Sequence, residues 1–253
     1  MYTRALVRRP GTSYVNGITT ANLGKPDLSR ALAQHDAYIA ALEQCGLAVT
    51  VLAADERYPD STFIEDTAIV TREFAVVANP GARSRNGEKH ATRSALQQFY
   101  ATFEEIETPG TLDGGDVMAV NGHFFIGLTA RTNASGARQL VALLEKNGCT
   151  GSTVSLKNFL HLKTGAAWIG DRDLLATGEL VEHPAFEDFN IIPVSSREAY
   201  AANCIRVNGR VLVPAGFGGT HKEMASRGYD LIEVEMSEFQ KMDGGLSCLS
   251  LRF

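Results

Sequence analysis

Long apolar runs are missing from this chain. None approaches the roughly 18 residues that a membrane span requires. At the start, Met1-Tyr2-Thr3-Arg4-Ala5-Leu6-Val7-Arg8-Arg9-Pro10, arginines interrupt the apolar stretch before a secretory core can form. A cytoplasmic location and no membrane partner are the expectation. Cysteine is scarce: Cys45, Cys149, Cys204 and Cys248 are four in 253 residues. They form no C-x-x-C and have no histidine at zinc-finger spacing, which excludes the common structural zinc sites and leaves free thiols in a reducing compartment. Surplus positive charge is also lacking. Lys+Arg 24 against Asp+Glu 29 gives −5, with no basic stripe, so nucleic acid and anionic membranes are poor partners. A small cationic ligand is compatible with that balance. The turn Pro80-Gly81-Ala82-Arg83-Ser84-Arg85-Asn86-Gly87 lacks the Gly-Lys-Ser/Thr ending of a phosphate loop, and Glu88 beside it would repel phosphate. No Pro/Ser-rich linker divides the chain, so one domain spanning 1–253 is expected.

What the chain does have is a loose repeat. A small or polar cluster introduces a short apolar strand, a second strand follows and ends in a turn, then comes a helical stretch and often a third strand. One copy runs Phe63–Val70, Phe74–Ala78, then a helix from about Gly87 to Phe103 and a closing strand at Glu105–Thr108. A second runs Gly114–Val120, His123–Leu128 and a helix from about Asn133 to Lys146, stopped by Asn147-Gly148. A third begins near Thr164 and a fourth near Ala202, where Asn208-Gly209 predicts a tight hairpin. A fifth is divided between Gly245–Leu251 at the C-terminus and Ala5–Arg8 at the N-terminus, completed by a helix from about Leu28 to Cys45 and a strand at Ala48–Leu52. The copies start 38 to 50 residues apart. Strand-led modules at such periods build radial or stacked folds, and a ring that joins both termini leaves no open edge. A mixed α/β sheet with recurring hairpins is the other reading.

Several residues could carry chemistry. Cys248 sits in Asp243-Gly244-Gly245-Leu246-Ser247-Cys248-Leu249-Ser250-Leu251. A strand cysteine is commonly a small buried hydrophobe, but the paired glycines permit close approach and the serines make this strand less apolar than a core strand needs to be. A nucleophilic role requires thiolate, hence a cation nearby. His161 lies between an apolar stretch and a glycine turn, where a side chain can face a pocket or serve as a hydrogen-bonded structural residue. Two acidic clusters, Phe63-Ile64-Glu65-Asp66 and Leu112-Asp113-Gly114-Gly115-Asp116-Val117, are either solvated turns or partners for a guanidinium, which stays protonated and pairs with planar carboxylates. An acid could also orient the imidazole of a Cys-His-acid set. Arg85 and Arg131 follow second strands of the repeat, so equivalent turns of a ring could aim both at one substrate carboxylate.

Taken in order along the chain, Phe63–Ala68, Pro80–Arg85, Leu112–Val117, Gly127–Asn133, His161–Lys163 and Asp243–Ser250 resemble the motifs of the dimethylarginine dimethylaminohydrolases, in the guanidino-modifying (pentein) superfamily. The resemblance implies an α/β fold, a five-bladed α/β-propeller of ββαβ modules around one central site. It implies Cys248 as nucleophile, His161 as general acid and base, and Asp113 as the residue orienting His161, with Asp116 of the same motif the alternative. Asp66, helped by Glu65, would hold the guanidinium. Asp60 would take the substrate α-ammonium, and Arg85 and Arg131 the α-carboxylate. Ile18 matches an apolar lid position, and Met242 a position lining the amino-acid end. The implied substrate is a methylated arginine, converted to citrulline with no metal or organic cofactor, by a monomer or homodimer. The arginine-processing relatives carry an acid two residues after the histidine; here it is Lys163, and the lost clamp would make room for methyl groups. The rival readings are another guanidine or ureido hydrolase on this scaffold and a non-catalytic binding propeller.

Overall fold

The computed structural model describes residues 1–253. Its fifteen strands form five separate three-stranded sheets. The strand β1 (Arg4–Arg8) passes through helix α1 (Leu28–Gln44) to β2 (Ala48–Leu52). Next come β3 (Ala68–Val70), β4 (Ala75–Val77), α2 (Glu88–Leu96) and β5 (Glu104–Glu105). The following module is β6 (Val117–Val120), β7 (His123–Leu128), α3 (Ala134–Lys146) and β8 (Thr150–Ser155). A single turn, α4 (Leu162–Gly165), leads into β9 (Ala166–Gly170), β10 (Asp173–Ala176) and β11 (Asn190–Pro193). Then follow β12 (Ile205–Val207), β13 (Arg210–Pro214), α5 (Gly218–Ser226) and β14 (Asp230–Val234). Finally α6 (Ser237–Gln240) precedes β15 (Ser250–Arg252), which pairs antiparallel with β1. In every sheet an antiparallel pair is extended by a parallel third strand.

Local sequence accounts for the element ends. Asp27 and Asn133 cap α1 and α3, each accepting a backbone N–H three residues on. Asn208 and Gly209 have φ 50° and 94°, the left-handed pair that a two-residue hairpin turn requires. Two expectations need correcting. The helix after β4 ends at Leu96 rather than near Phe103, because the chain turns back so that Tyr100 packs under β15, and the closing strand shortens to Glu104–Glu105. The third module, which begins near Thr164, has no α-helix between β10 and β11; two short 3-10 turns, Gly178–Leu180 and Pro184–Phe186, make the crossover.

The core closes the ring. Five hydrophobic clusters each draw on two consecutive sheets. Val76 meets Phe124 and Ile126; Met118 and Phe125 meet Leu174; Ile169 meets Val211; Val207 meets Val7; and Leu6 with Leu251 meets Ile64 and Ala75. The last of these joins the terminal sheet to the first. Alternate residues of one strand serve opposite neighbours: Phe124 and Ile126 face one cluster, Phe125 the next. Strands buried on both faces therefore read as continuous apolar runs. The first strands of the sheets pack inward, β15 against β3, β6 against β9 and β9 against β12. The turns leading into those strands converge at the centre. No helix is long and apolar enough to cross a membrane.

Candidate active site

Three of the converging turns carry acids or a thiol just before an inner strand. Asp66 lies in the turn Ile64–Thr67 before β3, Asp113 and Asp116 flank the turn Gly114–Asp116 before β6, and Cys248 lies in the turn Ser247–Leu249 before β15. His161 is the residue that enters α4. Each side chain is at most 9% exposed.

His161 Nε2 is 3.0 Å from Asp113 Oδ2 and 4.0 Å from Asp66 Oδ1. With Nε2 on Asp113, Nδ1 is the ring nitrogen without a hydrogen-bond partner in the chain. Asp113 is itself fixed, its Oδ1 accepting the Gly81 N–H at 2.8 Å. Sequence left open whether Asp113 or Asp116 orients the imidazole. The structure puts Asp113 on the ring and Asp116 beneath it. Asp116 Oδ1 accepts the Leu162 N–H at 3.0 Å and its Oδ2 accepts the Thr129 hydroxyl at 2.8 Å, so it anchors the turn that presents His161. That anchoring role was hidden in the sequence, although Asp116 shares the Gly-Gly motif with Asp113. Gly115 completes the arrangement, since a methyl there would lie 2.8 Å from both Asp66 Oδ1 and His161 Nδ1.

The charges tune one another. Burial alone would depress the His161 pKa, but the nearby Asp66 charge and the Asp113 hydrogen bond reverse this and raise it to about 9. Asp66 is the counterpart. Burial opposes its charge, yet His161 and Arg85 lower it to about 2. Burial raises Asp116 to about 6. Cys248 is pushed up to about 12, first by burial and then by the Asp66 and Glu65 charges. Its Sγ receives the Gly245 N–H at 3.4 Å. These shifts favour a protonated imidazole and a neutral thiol.

Asp66, His161 and Cys248 line one cavity with Ile18, Asp60, Arg85, Arg131 and Met242. Its volume is about 40 Å³, room for on the order of three waters. Ile18, 41% exposed, lies at the cavity's outer edge. Its N–H donates to Asp60 Oδ1 at 2.9 Å, and the next residues are tied to Asp243, which accepts the Thr20 hydroxyl at 2.9 Å and the Thr20 N–H at 2.5 Å. Asp60 is buried, which raises its pKa. Asp66, Asp113 and His161 present donor atoms within 4.8 Å of one another, the spacing of a cation site, but Asp66 already receives Gly115 N–H and Arg85.

Two expected residues sit differently from the sequence reading. Glu65 does not line this cavity. Its Oε1 lies 2.6 Å from Lys163 Nζ and 3.3 Å from Arg252 Nη2, and it faces a larger space on the far side. Adjacent residues of this turn point apart, so Asp66 faces the small cavity and Glu65 the larger one. Arg85 lines the cavity, but its guanidinium is engaged: Nη1 donates to Asp66 at 2.6 Å, Nε and Nη2 to Glu88 at 3.0 and 2.8 Å. Arg131 is freer. Its side chain is 16% exposed and its nearest acid, Asp113, is 3.8 Å away.

Comparison with known proteins decides among guanidine-handling sites of this kind. The family described as N,N dimethylarginine dimethylhydrolase, eukaryotic, matches residues 19–248. The N(G),N(G)-dimethylarginine dimethylaminohydrolase of Pseudomonas aeruginosa is 51% identical over 254 residues, covering 100% of both chains. This chain belongs to the dimethylarginine dimethylaminohydrolase family. A cysteine-to-serine variant of the Pseudomonas dimethylarginine dimethylaminohydrolase, solved complexed with citrulline, superposes with TM-score 0.98, 51% identity and full coverage of both chains. The five-bladed fold extends beyond the dimethylarginine dimethylaminohydrolases. The N-terminal domain of ArgZ, a cyanobacterial arginine dihydrolase, has TM-score 0.86 at 19% identity, with 98% of this chain and 97% of that one covered.

Proposed function

We propose that this chain is a dimethylargininase, hydrolysing Nω-methylated L-arginine to L-citrulline and methylamine or dimethylamine, with residues 1–253 acting as one catalytic unit. The observation that carries the reading is the shared cavity of a thiol, an acid-held imidazolium and a strongly acidic carboxylate. The relative with 51% identity along the whole chain supports it.

In this proposal the guanidinium binds to Asp66, the cavity carboxylate 4.0 Å from His161. Burial and the neighbouring acids hold Cys248 protonated; the bound cation offsets the acids, so substrate entry lowers the thiol pKa and its proton leaves to solvent. Thiolate attacks the guanidinium carbon. Imidazolium His161 gives its proton to the departing amine as the C–N bond breaks, leaving an S-alkylthiouronium on Cys248. Neutral His161 then takes a proton from a water that attacks the same carbon. Collapse breaks the C–S bond and frees citrulline and thiolate. Positioned proton transfer of this kind is worth ~10²–10⁴ in rate. The carboxylate end of the substrate goes to Arg131, with Asp60 on the α-ammonium and Met242 lining that end. Arg85 serves by holding Asp66. The scheme uses no metal or organic cofactor. Because the cavity is smaller than an arginine, the Ile18 segment opens for entry. The four free cysteines fit a reducing compartment such as the cytoplasm.

The test is incubation with asymmetric dimethylarginine and assay for citrulline and dimethylamine. Native enzyme should yield both in equal amounts, and Cys248→Ser neither, while still binding substrate. Turnover by the serine variant at the native rate would refute the nucleophile. A preference for free arginine would refute the substrate assignment.

A further inference from the structure

Behind the catalytic residues lies a second cavity of about 670 Å³, within the usual range of small-molecule sites. The wall between the two is thin. Asp66, His161 and Cys248 face the small cavity, whereas Glu65, Lys163 and Ser247 face the large one. The charged side chains lining the large cavity are Lys163, Arg206 and Arg252 against a single carboxylate, Glu65. This is a cationic concavity in a chain of net charge −5.

The three cations differ in how far they are satisfied. Arg252 donates to Ser247 and Ser250 and to Glu65. Lys163 has Glu65 as its one partner, 2.6 Å away, which leaves two of its three N–H groups free. Arg206 has no hydrogen bond or ion pair within the chain. It is nonetheless held in place, with its guanidinium 5.6 Å from the Trp168 ring centroid. It crosses Gly170, where any side chain would collide with it. A held guanidinium with its whole donor fork free is suited to a carboxylate or phosphate. A concave surface with surplus cations concentrates anions at its floor. The apolar walls, Met118 and Phe124 among them, leave room for a carbon skeleton.

We propose that this rear cavity is a binding site for a small organic oxyanion, with Arg206 as the recognising fork and Lys163 as the deeper charge. It is separate from the substrate cavity and does not depend on the catalytic assignment.

Trp168 is the only tryptophan and lines this cavity and not the other, so intrinsic fluorescence reads the site directly. Succinate and inorganic phosphate, titrated separately at ionic strength fixed with sodium fluoride, are the probes, and succinamide is the uncharged control. The expected result is a saturable change in emission with succinate, no response to succinamide, and binding at least tenfold weaker in Arg206→Gln. Phosphate saturation at the same site would extend the ligand class to tetrahedral oxyanions. If Arg206→Gln fails to fold, Arg206→Lys keeps the charge, removes the fork, and should weaken succinate severalfold. No saturable response to either anion, an equal response to succinamide, or native affinity in a folded Arg206 variant would overturn the proposal.

Discussion

His161 and Asp66 illustrate how two buried side chains set each other's charge. The imidazole is raised from an ordinary 6.5 to about 9 against the pull of burial, because Asp66 and Asp113 reward its proton. A group raised on folding contributes stability that is complete below the unfolded value and is lost as pH climbs through the folded one. Native protein should therefore lose stability between about pH 6.5 and 9 relative to His161→Asn, as denaturant midpoints across that window would reveal. The general acid is lost as pH passes the folded value, so kcat/KM should fall above about pH 9. The two arginines separate stability from binding in the same way. Arg85→Ala strands Asp66 and Glu88 without their cation in a site where both are buried, and breaking such a pair costs about 3–5 kcal/mol. Arg131→Ala leaves no such orphan and should raise KM about 10- to 100-fold, the ~1.5–3 kcal/mol of a charged hydrogen bond. Urea melts and steady-state kinetics on both variants check the contrast. An Arg85 variant with native stability and an Arg131 variant with native KM would reverse the assignment.

At the scale of elements, short turns rather than helices build the site. Each delivers one polar side chain at the point where an inner strand begins, and each is fixed by backbone hydrogen bonds such as Leu162 N–H to Asp116. The segment over the mouth is held more lightly. Asp243, at φ 57°, receives Thr20 twice, and Lys241 O accepts the Thr19 hydroxyl at 2.9 Å. Asp243→Ala removes the Thr20 anchors and one Thr19 contact at the edge of the cavity. The segment should then spend more time open, and Cys248 should be alkylated several times faster by iodoacetamide in the absence of substrate. Alkylation at the native rate would show that Thr19 and Ile18 alone keep the mouth shut.

At the scale of the molecule, stability rests on five cores between neighbouring sheets rather than on one, and the ring is only as closed as the pairing of its two ends. β15 and β1 meet through Leu6 and Leu251, and Leu6 is fully buried. Leu6→Ala should cost about 2–5 kcal/mol, as for other large-to-small core changes. It should also reduce activity, because β15 carries Cys248 at its entrance. Denaturant unfolding followed alongside turnover would test this, and full activity at reduced stability would show that the catalytic turn is held independently of the seam.

The sequence by itself determined the repeat and its split between the two ends, and its ordered motifs, through their family resemblance, singled out Cys248, His161, Asp113 and Asp66 as a candidate set. Strand periodicity, glycine turns and ordered motifs are local features, and local features are written in order along a chain. The loss of a helix in the third module and the early end of α2 were not legible, because packing against neighbours overrides helical spacing. Nor could the sequence say which way adjacent acids point. Only the tertiary structure turned Glu65 away from the substrate cavity toward Lys163, placed Asp116 under the histidine turn, and tied Arg85 to Asp66 and Glu88. Those outcomes depend on which side of a crowded centre each side chain occupies, and that is decided by the closing of the ring.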